Sequence, residues 1–447
     1  MARLFGTDGV RGIANDFLDC EMAYRLGYSA AKVLTGAIHK PKILVGRDTR
    51  ISGNMLECAL VAGICAAGAE ANELGVISTS AVAYLTRNYE VDAGAMISAS
   101  HNSYEYNGIK FFNGKGYKLA DSIEDEIERL VLGGDFAEKP TGMGVGRNIP
   151  LKNAVDEYID FLVEMAEEPL SGIKLVIDCA NGSASEIAPR VFRALGAKVF
   201  SYHDSPDGSN INDNCGSTKP QHLMELVKEL GADVGLAFDG DADRMMAVDE
   251  KGRLVDGDKV MAICALDMKE RGLLKKDVLV GTVMSNLGLE LGMKEHGIKL
   301  VKTDVGDRYV LEEMLKSGYN LGGEQSGHII FLDHNTTGDG ILTGIQLLGV
   351  MKRRDERLGR LAKVVTILPQ VLVNAHVSEA KKHEYAADDV IMDKIRVLEK
   401  RMDGRGRVLI RPSGTEPLVR VMIEGEDRSA IESEAVAIAE LIESRLA

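Results

Sequence analysis

Short apolar, β-branched runs alternate along this chain with polar loops and with stretches of helical spacing, and three segments repeat one plan. Each starts as a strand, passes through a Gly/Ser/Asp/Asn loop and continues as a helix. The first uses residues 43–45, the loop 46–53 and an alanine-rich helix. The second uses 175–177, the loop 178–183 and a helix to about 195. The third uses 278–280, the loop 281–288 and a helix to about 295. Each segment later supplies a second strand that ends in a polar loop: 94–97 into 98–102, 234–238 into 239–244, and 319–321 into 322–328. Strand–helix alternation of this kind predicts a largely parallel sheet with helices on both faces. Ligands of such sheets collect beyond the carboxyl ends of the strands. Three related units could thus point three loops at one place.

Past residue 366 the pattern changes. A strand is expected at 370–377, a helix at 388–401, strands at 408–411 and 419–424, and a helix at 429–445. The fold class expected is therefore α/β: three related α/β domains with mostly parallel mixed sheets plus a smaller C-terminal α+β domain, around a central cleft. The boundaries fall at 1–152, 153–253, 254–366 and 367–447. A helix is also expected at 122–132, with Ser122 as its N-cap and Glu124, Asp125 and Glu126 at the positive end of its dipole.

Charge and cysteine content narrow the partners. With 53 Lys+Arg against 68 Asp+Glu the net charge is -15. That balance argues against general binding to nucleic acid or anionic membrane, which needs a basic face. No run approaches the length of a membrane helix, and Met1-Ala-Arg-Leu-Phe-Gly6 has no signal-peptide apolar stretch. The six cysteines form no C-x-x-C pair and several sit in apolar runs, so reduced core thiols in a cytoplasmic protein are expected.

Asp239-Gly-Asp-Ala-Asp-Arg244 is the most informative motif. Three carboxylates at alternate positions after an apolar strand can share one side of a loop. Hard divalent cations take such oxygen ligands, and three unpaired carboxylates at that spacing would repel one another. A solvated acidic turn or a calcium loop has the same composition, although the twelve-residue EF-hand pattern is missing. Ser98-Ala-Ser-His-Asn102, by itself, serves equally as a turn or a helix N-cap. Arg411-Pro-Ser-Gly-Thr-Glu-Pro417 with Arg420 has an anion site's composition: guanidinium forks, two hydroxyls and a glycine that admits close backbone approach. Gly322-Gly-Glu-Gln-Ser-Gly-His328 offers a carboxylate, a hydroxyl and an imidazole that could grip sugar hydroxyls. Gly6-Thr-Asp-Gly-Val-Arg-Gly12 has neither the P-loop nor the dinucleotide spacing, but Arg11 can contact phosphate.

These five motifs, in this order and spanning the chain, resemble the α-D-phosphohexomutase family. The resemblance implies an intramolecular phosphotransferase in which Ser100 is the phosphorylated serine. It implies that Asp239, Asp241 and Asp243 hold Mg²⁺ together with phosphorylated Ser100. His101 and Lys110 would handle protons, with Arg11 and Arg244 beside them in the catalytic set. Glu324, Ser326 and His328 would bind the sugar. Arg411, Ser413, Gly414, Thr415 and Arg420 would hold the phosphate that is not transferred. Gln325, where relatives acting on mannose and glucose phosphates usually carry Met, points to a hexosamine phosphate as substrate and a sugar bisphosphate as intermediate. A mannose/glucose phosphate mutase and a metal-dependent sugar phosphatase are the alternatives. No nucleic acid or membrane partner is implied, and a homodimer is. The family commonly has Pro where Ser103 stands, which would loosen the loop after Ser100.

Overall fold

The computed structural model describes residues 3–6, 8–34, 40–134, 136, 139–413 and 416–446. Contacts divide the chain into two compact units, 1–284 with 297–364, and 285–296 with 365–447.

The first unit contains the threefold repetition. Its strands are Lys42–Arg47, Glu70–Val76, Ala93–Ile97 and Tyr106–Asn113 in the first copy. In the second they are Lys174–Asp178, Lys198–Tyr202, Val234–Phe238 and Met245–Asp249. In the third they are Val278–Thr282, Lys299–Thr303, Leu321–Gly323 and Ile329–Phe331. The order across every sheet is fourth, third, first, second. The first three strands of each copy are mutually parallel and the fourth runs antiparallel to the third. Strand Val10–Ile13 extends the first sheet antiparallel to Tyr106–Asn113. The first and third strands of each copy, central in their sheets, are apolar and buried through their middles, as a sheet covered by helices requires, whereas the second strands 198–202 and 299–303 are only half-buried. Ile43, Val45 and Ala95 pack with Leu26 and Leu60 of flanking helices. Val176 and Ala237 pack with Leu223 and Val227, and Val280 with Val310 and Met314.

The loops after the third strands each lead into a fourth strand, which the sequence pattern does not predict. Two local expectations are corrected. The helix expected from Ser122 is Asp121–Gly133 with Ala120 as N-cap. Asp121 is drawn into the first turn by Arg3 at 3.0 Å and Arg308 at 2.5 Å, so Ser122 lies inside the helix. The strand expected from Tyr319 starts at Leu321, since the Tyr319 amide still donates to Met314 O at the end of the preceding helix (2.9 Å).

The second unit is a three-stranded antiparallel sheet with helices. Its strands, Gln370–His376, Gly406–Pro412 and Leu418–Gly425, have the third in the middle. Helices Asp389–Met402 and Arg428–Leu446 bury Ile391, Ile395, Ile438 and Ile442 against Val419, Val421 and Ile423. Asp388 caps the first of these through the amides of Val390 and Ile391. Helix Leu287–Glu295 also belongs here. Glu424, fully buried, accepts from the Leu287 amide (2.9 Å), from Arg407 Nε (2.7 Å) and from Asn286 (3.3 Å).

All six cysteines are free, but Cys20 and Cys58 are exposed and Cys65 is half-buried, so the core-thiol expectation holds for three of them. Burial, helped by Asp178 for Cys215 and Asp267 for Cys264, pushes both thiols up to about 12. Burial, with Asp178 beside it, also raises Cys179 well above the ordinary thiol value. Native protein treated with maleimide near neutral pH should therefore take two adducts rapidly and a third slowly. The remaining three should follow only on denaturation, as read by intact mass. Rapid labelling of Cys264 in folded protein would contradict this packing.

Candidate active site

The three polar loops that follow the third strands meet within the first unit. The tightest junction joins the first two. Ser100, 1% exposed, donates from Oγ to Asp239 Oδ2 at 2.7 Å. Its backbone sits in the left-handed region, φ 52°, and its amide donates to Ser98 Oγ at 2.9 Å. Gly240 lies directly over it: a Cβ there would come within 2.6 Å of Ser100 O and 2.9 Å of Asn212 Nδ2. Only glycine lets the aspartate loop approach the serine this closely.

Asp239, Asp241 and Asp243 are 0%, 0% and 3% exposed, and one oxygen from each lies within 4.8 Å of the others. Asp241 Oδ1 and Asp243 Oδ1 are buried with no hydrogen-bond partner. Burial, then Asp243 and Asp241, raise Asp239 well above the usual carboxylate range. Crowded carboxylates with orphaned inward oxygens suit a hard divalent cation. The residues present thus fit the metal expected from the sequence.

Cations surround the triad. Lys110 Nζ reaches Asp241 Oδ2 at 2.7 Å, Asp8 Oδ2 at 3.4 Å and Asp243 Oδ2 at 3.8 Å. Burial opposes its charge, but these three carboxylates outweigh burial and keep it an ammonium. Arg244 donates its amide to Asp239 Oδ1 (3.2 Å), and its Nη1 lies 3.0 Å from His101 Nδ1. His101 Nδ1 is in turn 3.4 Å from Ser100 Oγ. Burial and the neighbouring Arg244 and Arg11 lower the His101 pKa below its ordinary value. Arg11 pairs with Asp8, and its Nε is buried without a partner.

The third loop joins through two contacts. The Met245 amide donates to Gly327 O at 3.0 Å. His328, 1% exposed, has Nδ1 3.5 Å from Asp243 Oδ2, while the Gly338 amide donates to Nε2 at 3.1 Å. Glu324 Oε1 accepts from the Gly306 amide (3.2 Å), and Ser326 Oγ is buried without a partner. Gln325 donates to Asp256 Oδ2 at 3.2 Å, the N-cap of helix Gly257–Glu270. A methionine there could not make that bond, so Gln325 acts on how this loop is held.

Sequence reasoning missed several participants. Thr79, at the start of the helix after the first copy's second strand, donates from Oγ1 to Asp241 Oδ2 at 2.5 Å. Lys118 bridges Asp8 and Asp307, each at 2.5 Å, and Asp307 lies 3.4 Å from His328 Nε2. Asp8, Lys110, Asp243, His328, Asp307 and Lys118 thus close a ring of charged and polar side chains drawn from all three copies. Asp8 stands inside a loop already singled out; nothing in the sequence flagged Lys118 or Asp307. Ser103 does not leave its loop slack: its carbonyl accepts from Arg50 and from the Tyr106 amide (3.2 Å).

The remaining expected residues lie in the second unit. Arg411 and Arg420 face each other in register on paired strands. Ser413, 4% exposed, accepts at Oγ from the Glu416 amide (3.3 Å), and Arg420 lies 3.5 Å from Glu416. Gly414 and Thr415 lie outside the described residues.

Comparison with known proteins gives this geometry a family. Residues 2–138, 156–252, 256–367 and 372–441 match, in turn, domains I, II, III and the C-terminal domain of phosphoglucomutase/phosphomannomutase. The chain is 58% identical over 447 residues to phosphoglucosamine mutase of Clostridium acetobutylicum, covering 100% of both chains. It is 56% identical over 446 residues to phosphoglucosamine mutase of Caldanaerobacter subterraneus subsp. tengcongensis, again covering 100% of both. Among solved structures it is similar in fold to a phosphoglucomutase/phosphomannomutase family protein from Burkholderia thailandensis (TM-score 0.82, 24% identity, 99% of this chain and 97% of that one). It is also similar to Aspergillus fumigatus N-acetylphosphoglucosamine mutase in complex with GlcNAc-6P and magnesium (TM-score 0.71, 18% identity, 99% and 96%). The chain belongs to the phosphoglucomutase/phosphomannomutase family.

Proposed function

We propose that this chain is a phosphoglucosamine mutase, interconverting glucosamine 6-phosphate and glucosamine 1-phosphate through phosphorylated Ser100 and a sugar bisphosphate. The observation that carries the reading is the buried carboxylate triad meeting Ser100 Oγ, in a chain that matches phosphoglucosamine mutases over its whole length.

Phosphorylated Ser100 gives its phosphoryl group to a substrate hydroxyl: the P–O bond to serine breaks and a P–O bond to the sugar forms. The hydroxyl proton passes to His101, whose Nδ1 lies 3.4 Å from Ser100 Oγ, and from there to the Ser100 oxygen as its P–O bond breaks. The other phosphate of the bisphosphate then returns to Ser100 by the same path reversed. Lys110 and Arg244 place positive charge where the transferring group passes, and Arg11 adds a phosphate contact. Mg²⁺ held by Asp239, Asp241, Asp243 and phosphorylated Ser100 would neutralise charge on that group. Glu324, Ser326 and His328 bind the sugar. Arg411, Ser413, Gly414, Thr415 and Arg420 bind the phosphate that stays. The domains run 1–152, 153–253, 254–366 and 367–447, and the enzyme works in the cytoplasm as a homodimer.

The test is a substrate panel. Glucosamine, glucose and mannose phosphates assayed side by side, with bisphosphate primer, should give kcat/KM for the amino sugar about tenfold or more above either competitor. Preference for mannose or glucose phosphate would sink the substrate assignment. Stoichiometric release of free phosphate would sink the mutase reading.

A further inference from the structure

Ser100 occupies a backbone region, φ 52°, that is strained for a non-glycine residue and persists only where surroundings over-determine it. Two side chains far apart in sequence supply that constraint. Arg50 is the largest fully buried side chain among the described residues, at 1% exposure. Its Nε donates to Asp48 Oδ2 at 2.9 Å. Nη2 donates to the carbonyls of Ser100 (2.9 Å) and Asn102 (2.8 Å), and Nη1 to those of Ser103 and Tyr106 (3.0 Å). Every N–H of the guanidinium is used, three of them on the loop that bears Ser100 and one on the first residue of the strand after it. Asp48 also accepts from Ser98 Oγ at 2.7 Å, the hydroxyl that receives the Ser100 amide.

Asn212 approaches the same carbonyls from the second copy. Its Nδ2 donates to Ser100 O at 2.9 Å and Asn102 O at 3.0 Å. It is itself left-handed, φ 58°, with its amide donating to Ala180 O at 2.9 Å. Its loop is anchored a few residues on, where the Gly216 amide donates to Asp178 Oδ2 at 2.9 Å.

We propose that Arg50 and Asn212 are positioning residues for phosphoryl transfer: together they hold Ser100 in its strained backbone so that Oγ faces the Asp239 side of the metal loop. The role rests on Ser100 being the phosphoryl carrier. Neither residue touches the reacting atoms. Losing either lets the loop relax, and a misplacement of about 1 Å at a reacting group costs up to about a hundredfold in rate.

The variants are chosen to stay folded. Arg50→Lys keeps a cation beside Asp48 but cannot fork to four carbonyls. Asn212→Gly deletes the carboxamide while favouring the same left-handed backbone. In the full-length enzyme with Mg²⁺ and bisphosphate, kcat should fall about a hundredfold in Arg50→Lys and about tenfold in Asn212→Gly, with KM within about twofold. Transfer from sugar bisphosphate to the dephosphorylated enzyme, followed by intact mass, should slow in step. A merely structural role would change thermal stability and leave the single-turnover rate of the folded fraction unchanged, and that result overturns the proposal. So does a fall confined to KM. Should Arg50→Lys fail to fold, Asn212→Gly decides alone. Ser100→Ala run in parallel separates the two readings: turnover surviving there overturns the carrier assignment, whereas a dead Ser100→Ala beside fully active clamp variants overturns only the clamp.

Discussion

Ser100→Ala is expected to remove turnover by about four orders of magnitude or more while leaving the protein folded. The two halves of that expectation have separate causes. Chemically, alanine has no oxygen to carry the phosphoryl group, and among the described residues no other hydroxyl bonds to Asp239 Oδ2. Structurally, serine and alanine meet much the same steric cost at φ 52°, and every bond that fixes this turn runs to its backbone: the amide to Ser98, the carbonyl to Arg50 and Asn212. The substitution therefore loses the hydrogen bond to Asp239, worth about 1–3 kcal/mol since its acceptor is a carboxylate, and the longer contact with His101. Activity should be measured by coupled assay with bisphosphate present, and phosphorylation by intact mass before and after bisphosphate. Activity within tenfold of wild type would end the phosphoserine mechanism.

What the sequence could show about this site, and what it could not, follows from the range of the interactions. Loops 98–102, 239–244 and 322–328 were legible because each follows an apolar strand, and the topology places all three at one equivalent position, between third and fourth strands. The carboxylate spacing in Asp239, Asp241 and Asp243 is local, so the candidate metal centre could be read directly. The supporting shell is not local. Lys118 meets Asp307 across 189 positions and Asp8 across 110. Arg50 reads as an ordinary polar residue in the loop 46–53 until folding buries it under the serine turn. Asn212 sits in a turn-rich stretch that resembles any surface loop. The fourth strands escape the sequence for another reason: runs such as 245–249 and 329–331 are apolar but too short for their spacing to tell a strand from a piece of helix. Residue type alone makes Ser122 a cap, whereas ion pairs of Asp121 with Arg3 and Arg308, far off in the chain, accompany a helix start one residue earlier.

The second large effect concerns the carboxylate that faces Ser100. Asp239→Asn should lose at least about a thousandfold in turnover, as a lost metal ligand implies, while costing the metal-free protein little or nothing in stability. Asp239 is raised well above the carboxylate range by burial and by Asp243 and Asp241. A carboxyl whose folded pKa is raised contributes stability that is present below its unfolded pKa and lost as pH climbs towards the folded value. Metal-free wild type should therefore weaken as pH rises from about 4 to neutrality, and Asp239→Asn, an uncharged mimic of the protonated acid, should weaken less. The amide also satisfies its neighbours, with its oxygen accepting from the Arg244 amide and its nitrogen donating to Ser100 Oγ. Adding Mg²⁺ reverses the order. The cation binds the charged triad and so competes with the proton, which makes its stabilisation of wild type grow with pH. At a free concentration about a hundred times Kd the gain is about 2.7 kcal/mol. Asp239→Asn should gain far less at the same concentration, because one of the three carboxylates is gone while Lys110 and Arg244 still oppose a cation. Thermal melts of both proteins in EDTA and in Mg²⁺ across this pH range decide the matter. A wild-type melting temperature indifferent to Mg²⁺ at every pH, or an Asp239→Asn protein that responds as wild type does, would show that the triad is not where the cation binds.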